Sequence, residues 1–303
     1  MTNKITLLSE RPLTLNSMWL SDIIAPHLML EYYDSNKTYN KQSTVFYAPY
    51  YGPESPIQQQ FLEDGFKIVY DNLWEAPVVD TSKYIMQHWD WIRHYESLWY
   101  RHLGYHTYQP NRNFKKLALM PMRLVKPHRT LAAEKLQPWL HDFVWSYVYQ
   151  GRELPNGGDA INDWNTQRLF HHEWYDDTCF SFVSETYVEL INDRVLISEK
   201  AYKPIAFYHP FVILGPAGIL QSLRNFGFET FDNLFDENYD TELNWHQRLD
   251  CLVKNVSEFK KQPYDMLTQQ KIQHNHALFF DHAVSCKYIN EQIIEPLLNY
   301  AET

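Results

Sequence analysis

Apolar and polar positions follow two rhythms along this chain. In the first hundred residues the apolar runs are short and are punctuated by turn residues. Thr44–Ala48 (TVFYA) is a continuous apolar run that ends in a Pro/Gly loop at 49–54, and it predicts a buried strand. Residues 56–64 predict a helix that Gly65 ends, and 66–70 (FKIVY) predict a second strand. Strand, loop, helix and strand in this order read as an α/β layer. Over 81–103, Ile85, Trp89, Ile92, Glu96 and Trp99 recur at three- and four-residue steps. That spacing predicts one long helix, capped by Thr81 or Ser82 and stopped by Gly104. Residues 105–113 are polar, contain Pro110 and read as a linker.

The second half alternates more regularly. Strands are predicted over 116–120, 143–148, 180–184, 210–214 and 228–231. Helices are predicted over 128–140, 198–207 and 216–226, the last closed by Gly227. A polar loop with Gly157-Gly158 fills 151–165. Short joints between alternating strands and helices imply a parallel, doubly wound sheet. Helices over 243–259 and 263–288 close the chain, and the last of them is expected to pack back on the N-terminal domain. The predicted organisation is an N-terminal domain at 1–112, a second domain at 113–285 and a returning helix at 286–303.

Composition narrows the class. The chain has 303 residues, 45% hydrophobic and 21% charged, which suits two globular domains. Aromatic residues make up 16%, enough for stacking surfaces as well as core packing. A formal net charge of -10 lacks the overall footprint of a nucleic-acid binder. No apolar run is long enough to span a membrane, and residues 1–20 lack a secretory leader pattern. Cys179, Cys251 and Cys286 form no redox or metal spacing, so a reducing cytoplasm is expected.

Candidate chemistry gathers where a parallel sheet binds ligands, at the carboxyl ends of its strands. Glu185 follows one predicted strand. Ser198, Glu199 and Lys200 open the next helix, with Lys203 one turn later. Gly215 to Gly218 follow another strand, and Arg123, Lys126, His128 and Arg129 follow the strand at 116–120. Helix N-termini offer free N–H groups and partial positive charge, and Lys and Arg add charge-assisted hydrogen bonds, so the set suits a diphosphate. Lys116, Arg123, Lys126, Arg129 and Lys135 form a locally basic run against Glu134 alone. A carboxylate such as Glu199 can accept hydrogen bonds from ribose hydroxyls. Arg129 and Glu199 are both expected to be removable without unfolding the protein. There is no Asp-x-Asp, so no metal is expected to clamp the diphosphate. The pairs His171-His172 and His102/His106 lack a third ligand of obvious spacing.

Two stretches also carry a resemblance. They are Ser184-Glu185-Thr186 with Leu196-Ile197-Ser198-Glu199-Lys200-Ala201-Tyr202-Lys203-Pro204-Ile205, and His209-Pro210-Phe211-Val212-Ile213-Leu214-Gly215. Together they resemble the donor-domain signature of fucosyltransferase-like glycosyltransferases. The continuation is closer still to a group of phage and bacterial glycosyltransferases: Leu223-Arg224, Gly227-Phe228-Glu229-Thr230-Phe231 and Asp236-Glu237-Asn238-Tyr239-Asp240. Lys126-Pro127-His128-Arg129 is similar to their Arg-Pro-His-Arg element, with Lys126 where Arg is usual. The resemblance spans about residues 116–280. It implies a GT-B fold, two Rossmann-like domains facing across a cleft, and a nucleotide-sugar donor. By that pattern Glu199 holds the ribose, Lys200 and Arg129 the phosphates, and Glu185 lies near the donor.

An inverting transfer needs a general base near the acceptor hydroxyl. Asp71 and Glu75, after the strand at 66–70, are the candidates, with Glu54 and Asp22 behind them. The acceptor can be a glycan or a small molecule. DNA is a second possibility, as in phage enzymes that decorate bases, with Lys37, Lys41, Arg93, Arg101 and Arg112 as its basic patch. A non-catalytic binding protein on the same fold is a third. Neither the oligomeric state nor the identity of the sugar is legible in the sequence.

Overall fold

The computed structural model describes residues 5–9, 28–32, 34, 36–48, 56–71, 84–87, 91–122, 124–147, 171–190, 195–291, 295 and 298–299. The chain forms two compact units: Met1–His102 with Asp281–Thr303, and Leu103–Phe280.

In the first unit, strands β1 (Ile5–Ser9), β2 (Leu28–Tyr32), β3 (Thr44–Ala48), β4 (Lys67–Asp71) and β5 (Tyr84–Gln87) form a parallel sheet in the order β2-β1-β3-β4-β5. Helix α1 (Pro56–Glu63) joins β3 to β4, and Gly65 ends it at a φ of 82° that a side chain would resist. Leu8, Phe61, Phe66 and Ile68 make a buried cluster under this layer.

Helix α2 is Trp91–His102, and Gly104 follows it at φ 82°. The helix expected over 81–103 therefore starts as a short strand, and only 91–102 is helical. Tyr84–Gln87 pairs with β4, with Ile68 opposite Tyr84 and Asp71 opposite Gln87. Four apolar-rich residues fit either period. The open edge of β4 supplies the backbone partners that favour the strand. The proposed caps Thr81 and Ser82 lie outside the described residues.

In the second unit, β6 (Lys116–Met122), β7 (Phe143–Tyr147), β8 (Thr178–Ser184) and β9 (Phe211–Leu214) form a parallel sheet in the order β7-β6-β8-β9. Every residue of β8 and β9 is buried, as expected of strands covered on both faces. The helices are α3 (Pro127–Lys135), α4 (His172–Asp177), α5 (Glu199–Ala206), α6 (Ile219–Asn225), α7 (Trp245–Glu258) and α8 (Met266–Phe279). The aromatic richness is largely core. Phe180 packs against Phe235 and Phe259 at centroid distances of 5.1 and 4.9 Å, and Tyr175 stacks on Phe207 at 4.5 Å.

Four expectations change here. Helix α3 stops at Lys135, and a 3-10 turn at Leu140–Asp142 replaces its predicted end. Residues 228–231 are not a strand. Their backbone bonds go to side chains instead: Glu229 N–H donates to Asn275 Oδ1 (2.7 Å), and Phe231 N–H donates to Glu237 Oε1 (2.6 Å). The helix expected over 263–288 breaks after Phe279, and α9 (His282–Ile289) restarts with Asp281 accepting from Val284 N–H at 3.1 Å. In the first unit α9 packs on α2, where His94 Nδ1 meets Ser285 Oγ at 3.1 Å and the His94 ring stacks on Tyr288. The supposed linker at 105–113 is stitched into the second unit. Asn111 N–H donates to Asp176 Oδ1 (2.8 Å), and Arg112 donates to the carbonyls of Phe207 (2.7 Å) and Tyr208 (2.5 Å).

Candidate anion-binding site at the switch point of the second sheet

Strand order in the second sheet reverses between β6 and β8. The chain moves from β6 outward to β7 and then crosses back to β8 and β9. Loops after two such strands run apart and leave a crevice at their carboxyl ends. Here those loops begin at Met122 and Ser184.

Helix α3 starts in this crevice. Lys126 is its extended N-cap, and Pro127 occupies the first turn, where its missing N–H is harmless. The next two residues face β8. His128 Nε2 lies 3.0 Å from the Glu185 carbonyl, and Arg129 donates to the carbonyls of Ser184 (3.2 Å), Glu185 (3.1 Å) and Leu124 (3.2 Å). A carbonyl only accepts, so Nε2 carries the His128 proton. Burial, with Arg129 and Lys126 nearby, holds the ring neutral with a pKa of about 4. Arg129 is only 2% exposed. Its guanidinium binds the end of β8 and belongs to the scaffold of the crevice, so replacing Arg129 is expected to cost stability.

Helix α5 starts on the other side. Ser198 is its N-cap, and its side chain accepts from Lys200 N–H at 3.4 Å. Lys200 Nζ donates to Thr186 Oγ1 (3.1 Å), Ser198 Oγ (3.2 Å) and Glu199 Oε1 (2.7 Å). The side chains of Lys200 and Glu199 are 27% and 31% exposed, so both reach solvent. Burial raises the Glu199 carboxyl, but Lys200 and Lys203 outweigh it and hold the group ionised down to about 2. Lys203 lies one turn along the same helix. Lys126 completes the cluster. Its Nζ sits over the Tyr187 ring at 4.4 Å, and burial, Arg129 and Lys200 all lower its pKa. Lys126, Arg129 and Lys200 thus crowd one crevice beside a helix N-terminus, with Lys203 next to Glu199.

Glu185 is fully buried and supports the site from below. It accepts from Ser198 N–H (3.0 Å), Thr186 N–H (3.1 Å) and Ser198 Oγ. Gly215 packs beside it and leaves space for the Ile219 side chain. A Cβ there would come within 2.7 Å of Ile219 Cδ1 and 3.4 Å of Glu185 Cγ.

Gly215 to Gly218 form a turn whose helix is already capped. The Asp240 carboxylate accepts from Leu220 N–H (2.9 Å) and Gln221 N–H (3.0 Å), so it fills the N-terminus of α6. A cavity of about 740 Å³ opens beside this turn, but Asp232, Asp236, Glu237 and Asp240 line it. Like charge makes that cavity a poor seat for a diphosphate.

The basic run at 116–137 does not form one island. Strand β6 rises by roughly 3.3 Å per residue, which puts Lys116 near the opposite edge of the sheet, where it donates to the His141 carbonyl at 2.9 Å. Lys135, at the far end of α3, pairs with Asp250. Only Lys126 and Arg129 of the described members meet. Arg123, Glu75, Glu54 and Asp22 lie outside the described residues. Asp71 is the last residue of β4, at its carboxyl end. Within the patch considered for DNA, Arg112 binds backbone carbonyls, Arg93 is buried, and Lys37 pairs with Glu31. His106 and His172 pack on Phe280 and Tyr108, and His171 on Trp174.

Sequence reasoning gave no role to Tyr187 or Arg248, and it read Asp240 only as part of the acidic run 236–240. Tyr187 follows Glu185 by two residues, so its place after a strand was a usable signal. Arg248 was not legible. It is 1% exposed on α7 and donates to the carbonyls of Gly215 (3.1 Å), Glu242 and Val188, tying three loops together.

No protein-family model matches the sequence, and no curated protein sequence matches it. Among solved structures, an α1,3-fucosyltransferase with GDP-fucose is similar. The TM-score is 0.42 and the identity 10%, over 92% of this chain and 90% of that chain. A likeness of that size is too weak to place a residue or a ligand.

Proposed function

We propose that the chain is a glycosyltransferase that takes its sugar from a nucleotide-sugar donor held at the carboxyl edge of the second sheet. The observation that carries this reading is the meeting of Lys126, Arg129 and Lys200 with the N-terminus of α5 at the switch point. Mutual repulsion among cations is relieved by an anion, and the partial positive charge at the start of α5 adds to its grip. Lys200 now gives one of its three N–H groups to Glu199. A diphosphate oxygen replaces Glu199 as that acceptor, and the freed carboxylate accepts from ribose hydroxyls. The donor motifs that resemble those of fucosyltransferase-like enzymes fall on these same residues.

In the reaction the acceptor oxygen forms a bond to the anomeric carbon as the bond to the diphosphate oxygen breaks. The nucleoside diphosphate leaves with the electron pair, and the cationic crevice stabilises the charge that develops on it. The acceptor proton passes to a carboxylate, for which Asp71 and Glu75 are the candidates. Such a transfer inverts the anomeric centre and, with cations at the diphosphate, runs without a metal.

Titration calorimetry of the full chain with GDP-, UDP-, ADP- and CDP-sugars tests this. One carrier is expected to bind, and Glu199→Ala and Lys200→Ala are each expected to weaken it at least tenfold, about the value of one charge-assisted hydrogen bond. Binding that both variants leave unchanged would remove the assignment.

A further inference from the structure

We propose that Glu185 is a positioning residue for the donor diphosphate, acting through Ser198 and Thr186 on the Lys200 ammonium. This inference rests on the donor-site reading and assigns Glu185 a role beneath the ligand, not against it.

The argument is one of hydrogen counting. Ser198 has a single hydroxyl proton. An ionised Glu185 only accepts at Oε2, so in that form the short contact between them has Ser198 donating. Both lone pairs of Ser198 Oγ then face Lys200, one toward its backbone N–H at 3.4 Å and one toward Nζ at 3.2 Å. The same carboxylate fixes Thr186 through its N–H at 3.1 Å, and Thr186 Oγ1 is the second acceptor for Nζ, also at 3.1 Å. Two of the three acceptors around the ammonium are therefore oriented by Glu185. The third, Glu199, reaches solvent and can be exchanged for a phosphate oxygen.

Without the buried carboxylate, the Ser198 hydroxyl is free to turn its proton toward the ammonium, and the lysine loses its fixed aim. Burial at 0% exposure keeps Glu185 itself away from any ligand. Arg129 does not neutralise it directly, because the guanidinium takes the Glu185 carbonyl and not its carboxylate. Burial pushes the pKa of the Glu185 carboxyl up, and the Lys200 ammonium and the hydrogen bonds from Ser198 oppose that rise. Preorganised donors of this kind raise affinity by removing the need to order the lysine on binding.

The test is a double-mutant cycle on the full chain, read by calorimetry with inorganic pyrophosphate and with GDP, UDP, ADP and CDP. Glu185→Gln and Ser198→Ala are each expected to weaken diphosphate binding about tenfold, near the value of one charge-assisted bond. Ser198→Thr, which keeps the hydroxyl and caps a helix well, is expected to stay close to the unmodified protein. In a Lys200→Ala background, Ser198→Ala is expected to add less than about twofold, since its effect runs through that lysine. If Ser198→Ala is harmless in the unmodified chain, or costs as much with Lys200 removed as with it present, the inference is overturned while the donor site stands. If no diphosphate binds the unmodified chain, or Lys200→Ala changes nothing, the donor-site reading fails and the inference fails with it. Should Glu185→Gln not fold, the Ser198 and Lys200 cycle decides alone.

Discussion

Replacing Arg129 by Ala separates a scaffold role from a ligand role. The guanidinium reaches three carbonyls, at 3.2 Å (Leu124), 3.2 Å (Ser184) and 3.1 Å (Glu185). Ser184 and Glu185 share one nitrogen and are buried, at 3% and 0% exposure. Leu124 is 61% exposed, so water can take over its carbonyl. Hydrogen bonds to a charged group contribute roughly 1.5–3 kcal/mol each, and orphaned buried acceptors add to the loss. Two buried acceptors at about 1.5–3 kcal/mol each, offset in part by an Nε that is buried without a partner, give a loss of about 3–5 kcal/mol. Domains are stable by only about 5–15 kcal/mol, so this is a large fraction. Urea denaturation followed by tryptophan emission, with the slope checked against the unmodified protein, measures it. A loss under about 1 kcal/mol, with tenfold weaker nucleotide binding, would refute the reasoning and return Arg129 to the ligand.

Two further outcomes follow from the structure. Burial of His94 against α9, with Arg93 beside it, lowers its pKa from 6.5 to about 3. The unfolded chain therefore takes this proton first, and the stability that His94 brings is complete above pH 6.5 and lost as the pH falls from there to about 3. His94→Gln is expected to make the fall in urea midpoint over that window shallower, and an unchanged slope would contradict the burial argument. Asp240→Ala removes the acceptor for two α6 amides, with an expected loss of about 1–2 kcal/mol. It should speed hydrogen exchange at Leu220 and Gln221 before it does so elsewhere.

Much of the second unit was legible because its strands are long, apolar and separated by strong signals. Lys116–Met122 and Thr178–Ser184 contain the predicted runs, and Gly227 and Gly104 end their helices at positive φ. Segments whose period was ambiguous went the other way. Tyr84–Gln87 became a strand because β4 offered an edge, and 228–231 lost its strand because Glu237 and Asn275 took the backbone bonds. β4 and Asn275 lie well away in sequence from the segments they decide, and Glu237 reaches Phe231 only once the turn between them has formed.

The chain alone determined which chemical groups follow the strand ends: Glu185 after β8, Ser198, Glu199 and Lys200 opening α5, His128 and Arg129 opening α3. Strand and helix periods act over a few residues, so local order carries them. Tertiary structure decided which of those groups meet. It set Lys116 and Lys135 away from Lys126, buried Arg129 on the carbonyls of β8, and brought Asp240 to the start of α6 in place of an outside anion. Direction and distance between side chains depend on how strands are ordered across the sheet, and hydrogen-bond partners many residues apart exist only once that order has formed.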